Sequence, residues 1–363
     1  MTLRIDISGL PSERVSFAAS PLAELTAMLH ALAAIGHHLE LTAWVAIVRA
    51  GLPQELAERL EEAEFLWRSS RADFLLPAQP RETLKEELDD VDRIPDEAYV
   101  TSALVTSCGS SRVHFGASPL SDAAARERAL DQAKARGARQ EAFAERLLAD
   151  PPAVRARVRE TLEQCAAAFF DAAWTATAAR IKTDLRMKAG LRDSRGLGAA
   201  LAAVSTAVTL APDGTRIVID KLQDDTASAG RTGVTFIPSV FGSPHLVAVR
   251  APGWRPVVQY PVRAPARFAS TEPASLEVVE GRLSALAHPV RLRLVRTLAR
   301  GPHTTTELAH AWNLTPPEVS RHLAVLQRAG LITGERRGRY VHYAADLPAL
   351  AALGTDLVAT VLR

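Results

Sequence analysis

The stretch Thr304–Tyr343, TTTELAHAWNLTPPEVSRHLAVLQRAGLITGERRGRYVHY, decides how the C-terminal quarter of this chain folds. Its punctuation is local and chemical. Thr304 followed by Glu307 fits a capping box, in which the hydroxyl accepts an N–H of the first turn and the carboxylate reaches back to the cap. Leu308, Ala309 and Trp312 then give one apolar helical face, which Asn313-Leu314 ends. Thr315-Pro316-Pro317-Glu318 repeats the start signal. Prolines at the first two helical positions cost little, because their missing N–H groups would have no intrahelical partner. With Pro317 unable to donate, the Thr315 hydroxyl has the Glu318 N–H as its natural partner. Val319, Leu323 and Leu326 follow at helical spacing, and Gly330 supplies a left-handed stop. Beyond it lies a short hairpin tipped by Arg336-Arg337-Gly338-Arg339. The expected order is helix, tight turn, helix, wing.

Charge is concentrated in the same place. The 363 residues carry a net charge of only +2, yet ten arginines face three glutamates between Arg282 and Tyr343, a local surplus of seven. Residues 1–270 are balanced to within one charge. The chain has only five lysines, so the choice of Arg over Lys says little; the surplus is what a phosphate-binding surface requires. Hydrophobic content of 47% and charged content of 23% are globular values, and the length allows two or three domains with real cores. Two cysteines, Cys108 and Cys165, form neither a disulfide framework nor a metal finger. MTLRIDISGL lacks a basic-then-apolar leader pattern. The nearest thing to a membrane span, Leu197–Ala211, is too short and too rich in Ala, Ser and Thr. The expected setting is cytoplasmic and reducing, away from membranes.

Outward from the decisive stretch, the rest of the chain reads as α+β. Leu3–Ile7 alternates as a strand, and Arg14–Phe17 offers another. Ser20-Pro21 opens a helix with Leu22, Leu25, Leu29 and Leu32 on one stripe; a second is expected over 38–49 and a third after Leu52-Pro53. The acidic run Glu86, Glu87, Asp89, Asp90, Asp92 reads as a solvated helix face, and Thr106–Pro119 as a loop. From Asp122 to Ala149 the pattern is helical and highly charged, and after Asp150-Pro151-Pro152 a long helix runs from 153 to about 188. Val204–Leu210 and Thr215–Ile219 flank the turn Ala211-Pro212-Asp213-Gly214, a hairpin signal; Val234–Ile237, Leu246–Val249 and Val257–Val262 are further strands. The expectation is a mainly helical N-terminal domain over 1–260, helical from 20 to 200 and β-rich over 201–262, with a small antiparallel sheet. A Pro/Ala/Ser-rich linker at Pro261–Pro273 then leads to a winged helix-turn-helix over 274–363.

Leu286-Ala287-His288-Pro289-Val290-Arg291-Leu292-Arg293-Leu294-Val295 resembles the entry segment of ArsR-type winged-helix repressors, and Leu314–Ile332 resembles their recognition helix and the start of their wing. The first 260 residues resemble an uncharacterised domain that precedes such winged helices in actinomycete regulators, chiefly at Ser20-Pro21-Leu22-Ala23-Glu24-Leu25. The resemblance implies a homodimeric repressor that reads double-stranded DNA, a two-fold operator being its expected partner. In a helix-turn-helix the start of the second helix enters the major groove. That places Thr315, Glu318, Ser320, Arg321 and His322 near bases or phosphates, with Arg321 able to chelate guanine. Polar base readers usually stand where Pro316 and Pro317 are, which leaves Pro317 to pack on a thymine methyl. Arg336, Arg337 and Arg339 suit phosphates or the minor groove.

No metal site is expected. The family's metal sensors use cysteines in the first helix of the motif or Asp/His sets in the last, and neither is present. His37-His38 reads as ordinary surface or cap. Upstream, Cys108 and His114 sit in no nucleophile signature, and the glycines of 190–198 and 230–242 make no dinucleotide or phosphate loop. Trp174, Phe241 and Trp254 fit a packed core as well as a ligand pocket. No catalytic set or cofactor emerges, so the N-terminal domain is expected to be a sensor of a small molecule or a partner protein, not an enzyme. Two alternatives stay open: an enzymatic domain fused to the winged helix, and a docking or dimerisation module without a ligand.

Overall fold

The computed structural model describes residues 2–35, 38, 41–68, 71–108, 115–220, 225–250, 254–262, 274–299, 301–337 and 340–362, leaving aside the side chains at 337 and 340. The chain divides into two compact units, Met1–Arg263 and Ala264–Arg363. Most of the expected linker, residues 263–273, lies outside the described residues, as does His114.

The first unit opens with β1 (Thr2–Asp6) and β2 (Val15–Phe17) and then enters α1 (Pro21–Ala33). Ser20 caps α1 as its sequence predicts, its hydroxyl accepting the Ala23 N–H at 3.0 Å, with Pro21 in the first turn. From Pro21 to Leu32 every residue of α1 is buried, so this helix is the axis of the core, and its apolar stripe is only part of what it hides. Around it come α2 (Thr42–Gly51), α3 (Gln54–Ala63), α4 (Leu84–Asp92), α5 (Asp96–Ser107), α6 (Ala123–Arg136), α7 (Ala138–Ala149) and α8 (Pro151–Cys165). One core gathers Leu25, Met28 and Leu29 with Trp67, Phe74, Tyr99 and Phe170, and Phe241, Trp174 and Trp254 join it as packing residues. The long helix expected after Pro152 is α8, a π-helical turn at Ala166–Phe170, and α9 (Asp171–Arg195). The extra residue accommodated by the π turn is invisible to apolar spacing.

The sheet expectation needs correcting. After α10 (Leu197–Ala202) come β3 (Val208–Leu210), β4 (Arg216–Asp220), β5 (Asp225–Ser228), β6 (Val234–Ser239), β7 (Val247–Val249) and β8 (Val257–Pro261). They form two mixed four-stranded sheets, β3-β4-β1-β5 and β2-β6-β8-β7. β1 runs antiparallel to β4 and parallel to β5; β2, β6 and β8 are mutually parallel along their pairings. Only the β3–β4 hairpin has a local cause, Gly214 taking φ +70° in its turn. The pairings of β1 and β2 join the first 17 residues to strands some two hundred residues later (Leu3 opposite Ile219, Val15 opposite Val234), while β8 pairs with its nearer neighbours β6 and β7.

The acidic run also differs from its reading. Asp89 and Asp92 do meet solvent, pairing with Arg159. Glu87, however, is buried, and its carboxylate accepts the Leu22 N–H at 2.7 Å, the Ser20 hydroxyl at 3.0 Å and the Arg81 N–H at 3.1 Å. It answers the orphan donors at the start of α1, where a negative charge is favoured. Burial nonetheless pushes its pKa up to about 7.

α9 is tied to β8 by a buried triad. Lys188 Nζ donates to Asp184 at 2.9 Å, and the Tyr260 hydroxyl donates to the other Asp184 oxygen at 2.6 Å. All three residues are at most 6% exposed. Deleting one partner of such a pair strands the other charge at a cost of about 3–5 kcal/mol, whereas replacing both by apolar groups is far cheaper. Asp184→Ala should therefore lower urea-unfolding stability by about that amount, and Asp184→Leu combined with Lys188→Met should recover most of it. A double variant as unstable as the single one would contradict this account.

Candidate nucleic-acid interface

The second unit consists of α11 (Leu276–Leu286), α12 (Pro289–Leu298), β9 (His303–Thr304), α13 (Thr305–Trp312), α14 (Pro316–Arg328), β10 (Ile332–Arg337), β11 (Tyr340–Ala345) and α15 (Leu347–Val361). β10, β11 and β9 form an antiparallel sheet in that order. Its core is Leu294, Leu298, Leu308, Val319, Leu323, Leu326 and Leu331 with their neighbours. Trp312, expected to face inward, lies at the rim: its indole N–H donates to the Thr297 hydroxyl at 3.0 Å and the Arg293 guanidinium sits 5.9 Å from its ring centre.

Both helices of the motif start as their sequence predicts. At α13 the Glu307 N–H reaches the Thr304 hydroxyl at 3.3 Å and the Glu307 carboxylate takes the Thr304 N–H at 2.6 Å. Asn313 then turns left-handed, φ +52°, and closes α13. At α14 the Glu318 carboxylate accepts the Thr315 N–H at 2.9 Å and the Thr315 hydroxyl at 2.7 Å. The far end closes with Gly330 at φ +66° and the Leu331 N–H on the Leu326 carbonyl, the bond of a Schellman stop.

Burying Val319, Leu323 and Leu326 turns the opposite side of α14 outward. Thr315, Pro317, Ser320, Arg321, Ala324 and Gln327 are exposed, and Pro317, Ser320, Arg321 and Ala324 share one face by helical spacing. Glu318 is half-buried, with its carboxylate committed to Thr315. His322 turns away from that face: its ring lies 4.8 Å from that of His288, the residue capping α12. Burial, then His288, Arg291 and Arg321 nearby, push the His322 imidazole below its usual range, so it is a weak cation for phosphate. On the wing Arg336 is exposed. Arg339 and the Arg337 side chain lie outside the described residues.

The first unit holds a constellation that sequence reading missed. His38, taken for surface or cap, is fully buried, and the helix expected to start there begins at Thr42. With His30 and His245 it brings three ring nitrogens within 4.8 Å of one another, the group among the described residues with the donors to hold a metal ion. The signal available was His30 itself, an imidazole in line with the apolar stripe of α1.

Residues 1–266 match the family described as "Family of unknown function (DUF5937)". The chain belongs to the DUF5937 family. Residues 286–335 of this DUF5937 chain match a helix-turn-helix domain model. Its C-terminal part is similar to the HTH-type transcriptional repressor SmtB of Mycobacterium tuberculosis, 43% identical over 77 residues, 21% of this chain and 57% of the relative. It is also similar to the HTH-type transcriptional regulator NmtR of the same organism, 42% identical over 65 residues, 18% of this chain and 54% of the relative. A solved structure, an ArsR-like transcriptional regulator from Rhodococcus sp. RHA1, aligns at 23% identity and a TM-score of 0.22, over 22% of this chain and 76% of that one. The DUF5937 chain spans about half the length of the curated relatives it matches. The ArsR resemblance carried by Leu286–Val295 and Leu314–Ile332 holds for that segment, and the uncharacterised domain before it is the DUF5937 part.

The caps carry a pH signature. The Thr304 and Thr315 N–H groups, then their hydroxyls, hold Glu307 and Glu318 below the usual glutamate value of 4.5. A lowered carboxylate pKa contributes stability that is present above that value and lost as pH falls below it. Thr315→Val should lower stability near neutrality, and the gap to wild type, read by urea unfolding, should close as pH falls below the ordinary glutamate value of 4.5. A gap independent of pH would contradict the charged cap.

Proposed function

We propose that this chain is a homodimeric, sequence-specific DNA-binding transcriptional regulator, acting as a repressor. The observation that carries the reading is the outward face of α14: an arginine and a serine one turn into a doubly capped helix, inside a unit with a surplus of positive charge. Arg321 reads bases, Ser320 and Thr315 lie close enough to the groove to contact bases or phosphates, and Pro317 offers apolar contact to a thymine methyl. Arg336, Arg337 and Arg339 grip backbone or minor groove from the wing. Glu318 contributes indirectly by fixing the helix start, and His322 sits at the edge of the interface.

A second copy of the chain fits the outer face of α11 and α15. These helices are locked together by Arg282, whose guanidinium donates to the buried Asp356 carboxylate at 2.9 Å. Leu276 and Leu283 on α11, and Leu347, Leu357, Val358 and Val361 on α15, remain exposed in the single chain. On α15, positions 347, 354, 358 and 361 recur at helical spacing and make one apolar stripe. Two such units present two recognition helices, the geometry that reads a two-fold operator.

The first unit is proposed as the sensor. A cavity of about 280 Å³ among α3, α7 and α8, lined by Phe143, Val154, Val158, Arg146 and Arg157, is the place proposed for a small ligand. A ligand there alters DNA affinity only if it binds the free and DNA-bound shapes differently, and DNA then alters ligand affinity by the same factor.

Mobility shifts on DNA upstream of the chain's own gene, run across a salt series, test the reading. Arg321→Ala should cost about 1–3 kcal/mol on cognate DNA and little on random DNA, whereas Arg336→Ala should weaken both alike and flatten the salt slope by about one. Equal losses for both variants on both DNAs would overturn this division. Val358→Asp combined with Val361→Asp should convert a dimer to a monomer by light scattering; a dimer that survives both changes would remove α15 from the interface.

A further inference from the structure

His30, His38 and His245 come from separate parts of the chain. His30 stands in the last turn of α1, His38 follows it, and His245 lies between β6 and β7, its backbone N–H donating to the Gly242 carbonyl at 2.7 Å. Their rings meet at steep angles, 81°, 84° and 60° between planes, with centres 4.7–5.2 Å apart. Such rings do not stack; they point edges and nitrogens at a shared space. His30 Nδ1 lies 3.0 Å from the Trp67 carbonyl. A carbonyl only accepts, so Nδ1 carries the hydrogen and His30 Nε2 carries the lone pair. His245 Nε2, 3.1 Å away, therefore donates its hydrogen to that lone pair, a hydrogen that a bound cation displaces. Fixing one ring nitrogen on a carbonyl so that the other presents its lone pair is how metal-bound histidines are commonly oriented.

We propose that these three histidines form a binding site for a divalent transition cation of zinc-like chemistry. Two nitrogens sharing one zinc at about 2.0–2.1 Å stand about 3.3 Å apart in tetrahedral geometry. The His30–His245 pair is already near that spacing, and with a widest separation of 4.8 Å seating the ion draws the third nitrogen in by about 1.5 Å. The donor set decides the class. Three neutral imidazoles with no thiolate and no carboxylate suit zinc, nickel, cobalt or copper(II), and do not suit calcium or magnesium, which demand oxygen. Three protein ligands leave a fourth position for water or a small anion.

The surroundings define the approach. His38 is fully buried and His30 is 6% exposed, while His245 is partly exposed and marks the side from which an ion enters. Arg71, buried close by, donates to the same Trp67 carbonyl at 2.7 Å. Glu24, buried on the helix of His30 one and a half turns earlier, offsets part of the Arg71 charge. The proposal concerns the first unit alone and does not depend on DNA binding.

Untagged full-length protein, stripped of metal by chelator and dialysed, should bind one equivalent of zinc per chain in calorimetry. Cobalt(II) should give the intense visible d–d absorption of a four-coordinate site. His245→Ala, at the partly exposed position where folding is least disturbed, should weaken binding by about 100-fold or more and abolish the cobalt spectrum. His310→Ala, in the second unit, should leave both unchanged. Wild-type protein that takes up no stoichiometric zinc, or a folded His245→Ala protein that binds as wild type does, would overturn the proposal. A cobalt spectrum typical of six-coordinate, water-rich binding would overturn it too.

Discussion

The buried stripe Val319, Leu323 and Leu326 fixes the direction in which α14 faces, and the rest of the second unit depends on that constraint. At roughly 1.5–3 kcal/mol for each large aliphatic side chain taken from water, no alternative rotation of the helix competes. Ser320 and Arg321 are therefore outside because their neighbours are inside. The capping carboxylates refine the same arrangement: Glu318 is spent on holding the start of α14 and Glu307 on the start of α13. A helix presented to a charged polymer needs a rigid start, since that end enters the groove.

The first unit is organised differently. Its axis, α1, is buried from Pro21 to Leu32, and two glutamates buried among the described residues bond backbone N–H groups: Glu87 at the helix start, and Glu24 to Val240 and Phe241 across the fold. Burial pushes both up to about 7. Polar groups are thus used as fasteners between segments remote in sequence, as Asp184 and Tyr260 also are. The three histidines belong to this pattern by position but differ in chemistry, since imidazoles facing one another have lone pairs to offer as well as hydrogens.

Legibility followed the range of the interactions. The helix-turn-helix could be read because its signals span three or four residues: Thr304 with Glu307, Thr315 with Glu318, and Gly330 after Leu326. The cap of α1 at Ser20-Pro21 was legible for the same reason. The two mixed sheets were not, because β1 and β2 find their partners some two hundred residues away and carry no local mark of which strands those are. Glu87 read as solvent-facing among other acids, since its partners, Ser20 and Leu22, lie far off in the chain. His38 read as surface because one of the rings it packs against, His245, lies some two hundred residues away. On α14, spacing placed Ser320 and Arg321 correctly outside, but could not show that His288 would draw His322 aside.

The central claim is that the exposed face of α14, paired in a dimer, reads a defined DNA sequence. Selection of binding sites by the full-length chain from a random-sequence duplex library tests it most directly. The account predicts enrichment of an inverted repeat whose half-sites are centred about one helical turn apart. A library that emerges unenriched at physiological salt would contradict it.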